Sequence, residues 1–347
     1  MFVSFKLTRK HIAAVLISAF VLSAPFLWGG NAFRGVFSEE KAEKKNFIKW
    51  VDFNVSYEAL RDAMNLDIKT NAEKNHINWI DALSYLAAKN GGSFKGYSRS
   101  QLEKLAEAVK EGKSIKELSK NLKSYDYYHK AYSSVLEEYI GRYGKETPID
   151  GDAETKEWLE YYGLKVFSPI AAGFGYNHYD DFGSSRSYGY ARKHLGHDLM
   201  GETGTPIVAV EGGSVEALGW NQYGGWRIGI RSKDKKRYYY YAHLRKDHPY
   251  RAGLKEGDEV EAGEVIGYLG MTGYSAKENV NNIDKPHLHF GIQLIFDESQ
   301  KDGNGEIWID CYALTKLLGS NRAEVYYDKQ KKEYFGKDRF YDLENRG

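Results

Sequence analysis

Disulfides within this chain are excluded, because its 347 residues include a single cysteine, Cys311. An excess of charge of one sign is also lacking. The formal net charge is +1, so the composition does not indicate a polyanionic partner such as nucleic acid. No repeat of about 20–50 residues is visible, which argues against a solenoid. The sequence is 42% hydrophobic and 28% charged, which is typical of a folded protein, and its length allows two domains and an anchor.

An apolar run at residues 12–28 follows the basic residues Lys6, Arg9 and Lys10. A positively charged segment ahead of such a run indicates export, with the bulk of the protein outside the cytoplasm. The run is slightly short for a spanning helix, which usually needs about 20 residues. Two outcomes stay open: a single-pass anchor in the cell membrane, or a signal peptide cleaved near residues 30–32, which would release the protein. Export without disulfides favours a bacterial envelope.

The next part of the chain has helical periodicity, with apolar side chains recurring at Ile77, Ile80, Leu83 and Ala87. Ser98 with Gln101 and Ser114 with Glu117 have the spacing of capping boxes, so each predicts a helix start. An aromatic-rich segment predicts a further helix over about residues 125–143. We interpret residues 47–147 as a small all-α domain of unknown role, whose protein partner, if it has one, is unknown.

The chain from Ser168 onward has short apolar or alternating runs separated by glycine, which predicts β structure. The expected antiparallel strands are 206–210, 213–218, 226–231, 237–244, 260–269 and 287–295. The fold class predicted is therefore α+β multidomain, with an N-terminal membrane helix, an all-α domain and a C-terminal antiparallel all-β domain. The predicted divisions are 1–46 for the anchor and linker, 47–147 for the helical domain, and 148–347 for the β domain with a C-terminal extension.

A cluster of histidines in the β region indicates a metal site. Side chains alternate along a strand, so His287 and His289 face the same side, about 7 Å apart. Both can bind one metal, or one can bind it while the other lines the same pocket. His194 and Asp198 are also on one face by parity, but a straight strand would hold them about 13 Å apart. The chain must bend between them, and Gly196 permits this.

Nine segments resemble the lysostaphin/LytM-type zinc metallopeptidases, which are peptidoglycan endopeptidases with a duplicated-hybrid-motif β fold. In chain order these segments are FGSSR (182–186), HLGHD (194–198), GTPIVA (204–209), GGSV (212–215), YAHL (241–244), GDEV (257–260), GEVIG (263–267), GMTG (270–273) and HLHF (287–290). Their number and order make the resemblance specific. The helical region lies outside it.

The resemblance implies a role for each histidine that matches the family pattern. His194, Asp198 and His289 match the zinc ligands, and His243 and His287 match the two histidines beside the metal-bound water. The expected activity is zinc-dependent hydrolysis of peptide bonds in peptidoglycan, either in a glycine-rich bridge or in a stem-peptide crosslink. His243 and His287 would serve jointly as general base and transition-state stabiliser. Tyr241 has the strand parity of His243, so its hydroxyl either reaches the cleft or packs in the core.

Two departures from the family pattern lie beside the His-x-His strand: an insert at residues 274–285 and an extension at residues 296–309. They bear on substrate choice rather than on chemistry. The alternative function is a catalytically silent envelope scaffold that binds a protein partner, for instance in sporulation or division. A lipoyl or biotin carrier would need a modifiable lysine where the sequence has GMTG (270–273). Histidines that serve only the core of a β sandwich are the remaining alternative.

Overall fold

The computed structural model describes residues 48–149, 152–303 and 305–344. The apolar run at 12–28, and with it the predicted membrane helix, lies outside these residues. Within the described ranges, no helix combines the length and apolarity needed to cross a membrane. The described residues belong to one compact unit.

The helices lie mainly in the first third of the described chain. They are α1 (Tyr57–Thr70), α2 (Trp79–Lys89), α3 (Arg99–Lys110), α4 (Ile115–Ser119), α5 (Tyr125–Leu136) and α6 (Tyr312–Leu318). Ser114 and Glu117 form the predicted capping box at the start of α4. Ser98 precedes α3 as predicted, but its hydroxyl makes no cap hydrogen bond to the helix and lies 2.8 Å from the Ser100 hydroxyl instead.

The remainder of the chain is dominated by short strands. They are β1 (Ile140–Ile149), β2 (Asp152–Leu164), β3 (Tyr176–Tyr179), β4 (Ser185–Arg186), β5 (Arg192–Lys193), β6 (His197–Gly201), β7 (Pro206–Val208), β8 (Gly213–Asn221), β9 (Gly225–Ser232), β10 (Arg237–Ala242), β11 (Glu259–Val260), β12 (Val265–Tyr268), β13 (His287–Leu294), β14 (Ile307–Trp308), β15 (Val325–Asp328), β16 (Glu333–Gly336) and β17 (Arg339–Asp342). The main sheet has the order β11-β8-β9-β10-β13-β6-β3, and β14 pairs with β13.

Three predictions from the sequence are wrong in their details. The helix expected over 125–143 ends at Leu136, because β1 begins at Ile140 and pairs with β2. The strand expected over 260–269 is two strands in different sheets, since the chain turns at Gly263 with φ +81°. The C-terminal region is not all-β, because α6 packs its apolar face inside it.

The proposed boundary between residues 147 and 148 falls inside β1, which pairs on its other side with β17 near the C-terminus. A buried ion pair also joins the helical region to the main sheet. Arg237 of β10 is fully buried, lies 2.8 Å from a Glu211 carboxylate oxygen, and donates to the Ser134 carbonyl of α5 at 3.0 Å. Because a buried charge needs such partners, these contacts fix the position of β10 beneath the cleft described next.

Candidate active site

Three side chains converge where β6 and β13 lie side by side. His289 pairs with Asp198 across the two strands. His289 Nδ1 lies 2.7 Å from His194 Nε2 and 3.1 Å from Asp198 Oδ1, and His194 Nε2 lies 3.0 Å from the same carboxylate oxygen. The structure therefore brings together the three residues that the resemblance matched to metal ligands.

The bend at Gly196 makes this convergence possible. β5 ends at Lys193 and β6 begins at His197, so His194 lies before the bend and Asp198 after it. A Cβ atom at residue 196 would lie 2.6 Å from the His289 imidazole, closer than atoms can approach. Glycine is therefore required here by the close approach of His289, since its φ is not in the left-handed region.

The donor set fits a divalent metal ion. Two imidazole nitrogens and one carboxylate oxygen lie within 4.8 Å of one another and border an open cleft. Burial alone would raise the pKa of Asp198, but the close imidazoles of His194 and His289 outweigh it and lower that pKa, so the group is a carboxylate at neutral pH. Burial lowers the pKa of His289 and favours the neutral imidazole, the form that binds metal. Three N and O ligands with an open side are typical of catalytic zinc.

Asp181 and Arg186 support the ligands, and sequence reasoning assigned neither of them a role. His194 Nδ1 donates to the Asp181 carbonyl oxygen at 3.3 Å and lies 3.0 Å from Asp181 Oδ1, so the ring keeps the Nε2 lone pair for a metal. Arg186 pairs with Asp181 and lies 3.4 Å from Asp198 Oδ2. Arg186 belongs to a matched segment, but Asp181 comes from a loop whose approach to His194 leaves no spacing signal in the sequence.

Asp181→Asn is expected to weaken metal binding about 10- to 100-fold, the usual effect of losing a carboxylate behind a ligating histidine. The exchange preserves volume and removes the charge that orients the imidazole. The measurement is a zinc competition titration with a chromophoric chelator. Asp180→Asn is the matched control, because Asp180 is the exposed neighbour of Asp181. Equal zinc affinity in both variants would show that Asp181 does not support His194.

His243 and His287 lie beside the ligand cluster, with ring centroids 4.8 Å apart. His243 Nδ1 is 2.9 Å from the Thr272 carbonyl oxygen, and His287 Nδ1 is 2.8 Å from the Lys285 carbonyl oxygen. A carbonyl only accepts, so each Nδ1 carries the proton and each Nε2 keeps a lone pair. His287 Nε2 lies 3.8 Å from Asp198 Oδ1. Burial lowers the pKa of His243 well below its usual value, which favours a neutral ring able to accept a proton.

Tyr241 packs in the core. It is fully buried, and its hydroxyl accepts a hydrogen bond of 2.9 Å from the Val210 N–H. The parity argument fails because β10 ends at Ala242 and His243 adopts φ +62°, which turns its side chain back to the opposite face. Tyr240, the preceding residue, lines the cleft together with His243.

His197 points away from the converging ligands, as its odd position in the strand predicts. Its Nε2 lies 2.8 Å from His178 Nδ1, and its ring packs edge-on against Tyr312 of α6. Burial lowers the pKa of His197 to about 3, so this ring is neutral and structural.

Comparison with known proteins places this geometry in a family. Residues 192–302 match the profile of peptidase family M23, a span that contains the three converging residues and both flanking histidines. Residues 192–302 are therefore similar to peptidase family M23, and this part of the chain is called the M23 domain. The family expected from the sequence motifs is thereby confirmed.

The M23 domain has curated relatives of related activity. An L-Ala–D-Glu endopeptidase of Bacillus subtilis is 38% identical over 165 residues, which are 48% of this chain and 45% of that protein. Lysostaphin of Staphylococcus simulans is 39% identical over 98 residues, 28% of this chain and 17% of that protein. The matched part of the chain thus spans less than half the length of either relative. The LytM structure from Ruminococcus gnavus shares the fold at a TM-score of 0.51 and 22% identity, covering 79% of this chain and 92% of that one.

The cleft of the M23 domain has a volume of about 990 Å³, and the two departures from the family pattern form part of its walls. Tyr274 and residues 282–285 of the insert line it near the histidines. Lys301, Asp302, Glu306 and Trp308 of the extension line it along the sheet face. Both segments thus lie where a bound substrate would pass.

Stacked rings fix the insert at the mouth of the cleft. The Tyr274 ring stacks on Tyr188 with centroids 4.9 Å apart, and the Arg192 guanidinium lies 5.3 Å from the Tyr274 ring centroid. Arg192 also donates to the Tyr188 carbonyl at 2.7 Å. These contacts join the insert to the β4–β5 hairpin, so this wall of the cleft is built from two separate loops.

Proposed function

We propose that the M23 domain is a zinc metalloendopeptidase that hydrolyses peptide bonds in peptidoglycan and acts outside the cytoplasm. The observation that carries the proposal is the convergence of His194, Asp198 and His289 at an open cleft, with His243 and His287 beside them. The activity of the Bacillus subtilis relative, an L-Ala–D-Glu endopeptidase, supports a peptidoglycan endopeptidase. The basic and apolar N-terminal sequence supports export.

His194 Nε2, Asp198 Oδ1 and His289 Nδ1 would hold the ion. When bound, zinc polarises a scissile carbonyl and lowers the pKa of a water molecule towards about 7. The flanking histidines provide proton transfer beside it. In the neutral ring of each residue the Nε2 atom carries the lone pair, and both residues line the cleft, so either can accept a proton from the attacking water. The protonated ring can then stabilise the developing oxyanion or protonate the leaving amine, and we assign these tasks to the pair jointly.

A metal-free scaffold that binds an envelope partner fits these observations less well. Such a protein has no need to retain three converging ligands, a buried carboxylate behind His194, or two further histidines with free Nε2 atoms. Burial of polar groups costs free energy, so a protein without a catalytic role would gain nothing from keeping this cluster. We therefore favour the enzyme.

Zinc-loaded protein is expected to release muropeptides from purified peptidoglycan. The released fragments are to be identified by mass spectrometry on walls with glycine bridges and walls with direct crosslinks. A chelator should abolish release, and added zinc should restore it. No cleavage of any wall type by protein with confirmed stoichiometric zinc would contradict the proposed function.

A further inference from the structure

Arg227 of β9 is a cation in the cleft without an acidic partner. It lines the cleft, yet among the described residues no carboxylate forms an ion pair with it, and its buried Nε has no hydrogen-bond partner. Arg231, four positions along the same strand, differs in this respect. Arg231 Nε lies 2.8 Å from Glu216, and Arg231 Nη2 lies 2.9 Å from Glu298.

The strand register places Arg227 in line with the metal site. Ala242 pairs with His289, and His289 pairs with Asp198. On the other side of β10, Tyr241 pairs with Ile228, so the neighbouring position opposite Ala242 is Arg227. Arg227, Ala242, His289 and Asp198 therefore form one row across the sheet, and all four line the cleft.

The distances along this row match a short stretch of peptide. Strands lie about 4.8 Å apart, so the Arg227 backbone is about 10 Å from that of His289. Ala242, which lies between them and lines the cleft, has only a methyl side chain. An extended peptide advances about 3.3 Å per residue. The guanidinium therefore reaches a substrate group within about two residues of the bond at the metal site.

The chemistry of Arg227 selects an anion. A half-buried guanidinium is costly without a counter-charge, and its fork of N–H groups suits a carboxylate. The other cleft cations are less suitable. Arg186 already pairs with Asp181 and Lys301 with Glu216. Arg192 lies over the Tyr274 ring and donates to the Tyr188 carbonyl, and Lys193 and Lys285 are exposed to solvent.

We propose that Arg227 binds a free carboxylate of the substrate within about two residues of the cleaved bond. The substrate class is then an acidic stem peptide, in which a glutamate linked through one carboxyl still carries the other. A glycine-rich bridge has no such group. This inference rests on the proposed peptidase function and adds the determinant of its specificity.

The test compares two peptides that differ in one group. One is a stem peptide containing L-Ala–D-Glu with the free carboxylate, and the other has that carboxylate as a carboxamide. For the zinc-loaded full chain, kcat/KM is expected to be about 10- to 100-fold higher on the acid, the usual value of a charge-assisted hydrogen bond. Arg227→Gln should remove most of this preference by lowering the rate on the acid alone. Arg227→Lys should retain part of the preference, because lysine keeps the positive charge but lacks the paired N–H groups of the guanidinium.

Lys193→Gln is the matched control, since it removes one positive charge from the same cleft, and it should keep the wild-type ratio. Equal cleavage of acid and amide by the wild type would overturn the role of Arg227 while the peptidase function stands. The role would also be overturned if Lys193→Gln lost the preference for the acid while Arg227→Gln kept it. A third contradicting result is that Arg227→Gln and Arg227→Lys, with zinc still bound, lose activity equally on the acid and on the amide. Cleavage of neither peptide by zinc-bound wild type would count against the peptidase function itself.

Discussion

His289→Ala is expected to lose bound zinc and to lower peptidoglycan hydrolysis by about 10³-fold or more. The variant leaves two of three ligands, and metal catalysis supplies several kcal/mol of transition-state stabilisation, of which about 1.4 kcal/mol corresponds to each factor of ten. The measurement combines metal analysis by mass spectrometry with the rate of muropeptide release. His289 borders the cleft rather than the core, so the variant should remain folded.

His129→Ala is the control for this variant. His129 lies in α5, is partly exposed, and pairs with Asp81 at 3.1 Å, far from the ligands in the fold. It should bind one equivalent of zinc and hydrolyse at the wild-type rate. Full zinc content and full activity in His289→Ala would refute the assignment of His289 as a ligand, and with it the proposed metal centre.

His243→Ala and His287→Ala are each expected to reduce hydrolysis by about 10²- to 10⁴-fold, the range for loss of a general acid or base. Both should keep stoichiometric zinc, because neither side chain belongs to the converging set of ligands. This combination of retained metal and lost activity separates the flanking histidines from the ligands. It is measured by metal content and by kcat on a defined stem peptide.

His248→Ala provides the comparison for the two flanking histidines. His248 pairs with Glu333 at 3.0 Å and stacks on Tyr268, and it does not line the cleft. Its loss should leave both zinc content and turnover close to wild type. If His243→Ala or His287→Ala turned over at the wild-type rate, that histidine would have no part in proton transfer.

Local patterns in the sequence predicted the strand containing His287 and His289, since period-two alternation is a property of any extended chain. They also predicted the bend at Gly196, because two residues on a straight strand cannot meet at one ion. The start of α4 followed from Ser114 and Glu117, whose cap hydrogen bonds join neighbours in the chain. Each of these inferences depends on a few consecutive residues.

The end of the helix predicted over residues 125–143 could not be predicted from a few consecutive residues. Its aromatic residues suit a helix or a strand, and the choice is made by hydrogen bonds between β1 and β2, with a further pairing to β17 near the other end of the chain. The division of residues 260–269 into two strands could not be predicted from local sequence either. Their apolar pattern is continuous, but β11 pairs with β8 and β12 with β7, so partners from two sheets divide the segment.

The sequence by itself determined the resemblance to the family, the residues that its motifs match to metal ligands, and the face on which the paired histidines lie, because these depend on residue type and short spacing. Only the tertiary structure decided that Asp181 supports His194, that Tyr240 rather than Tyr241 lines the cleft, and that Arg227 stands in the row of the metal ligands. Each of these depends on contacts between distant segments or on one backbone angle, the φ of +62° at His243. Contacts of that kind form only when the chain is packed, so they cannot be predicted from the spacing of residues along the sequence.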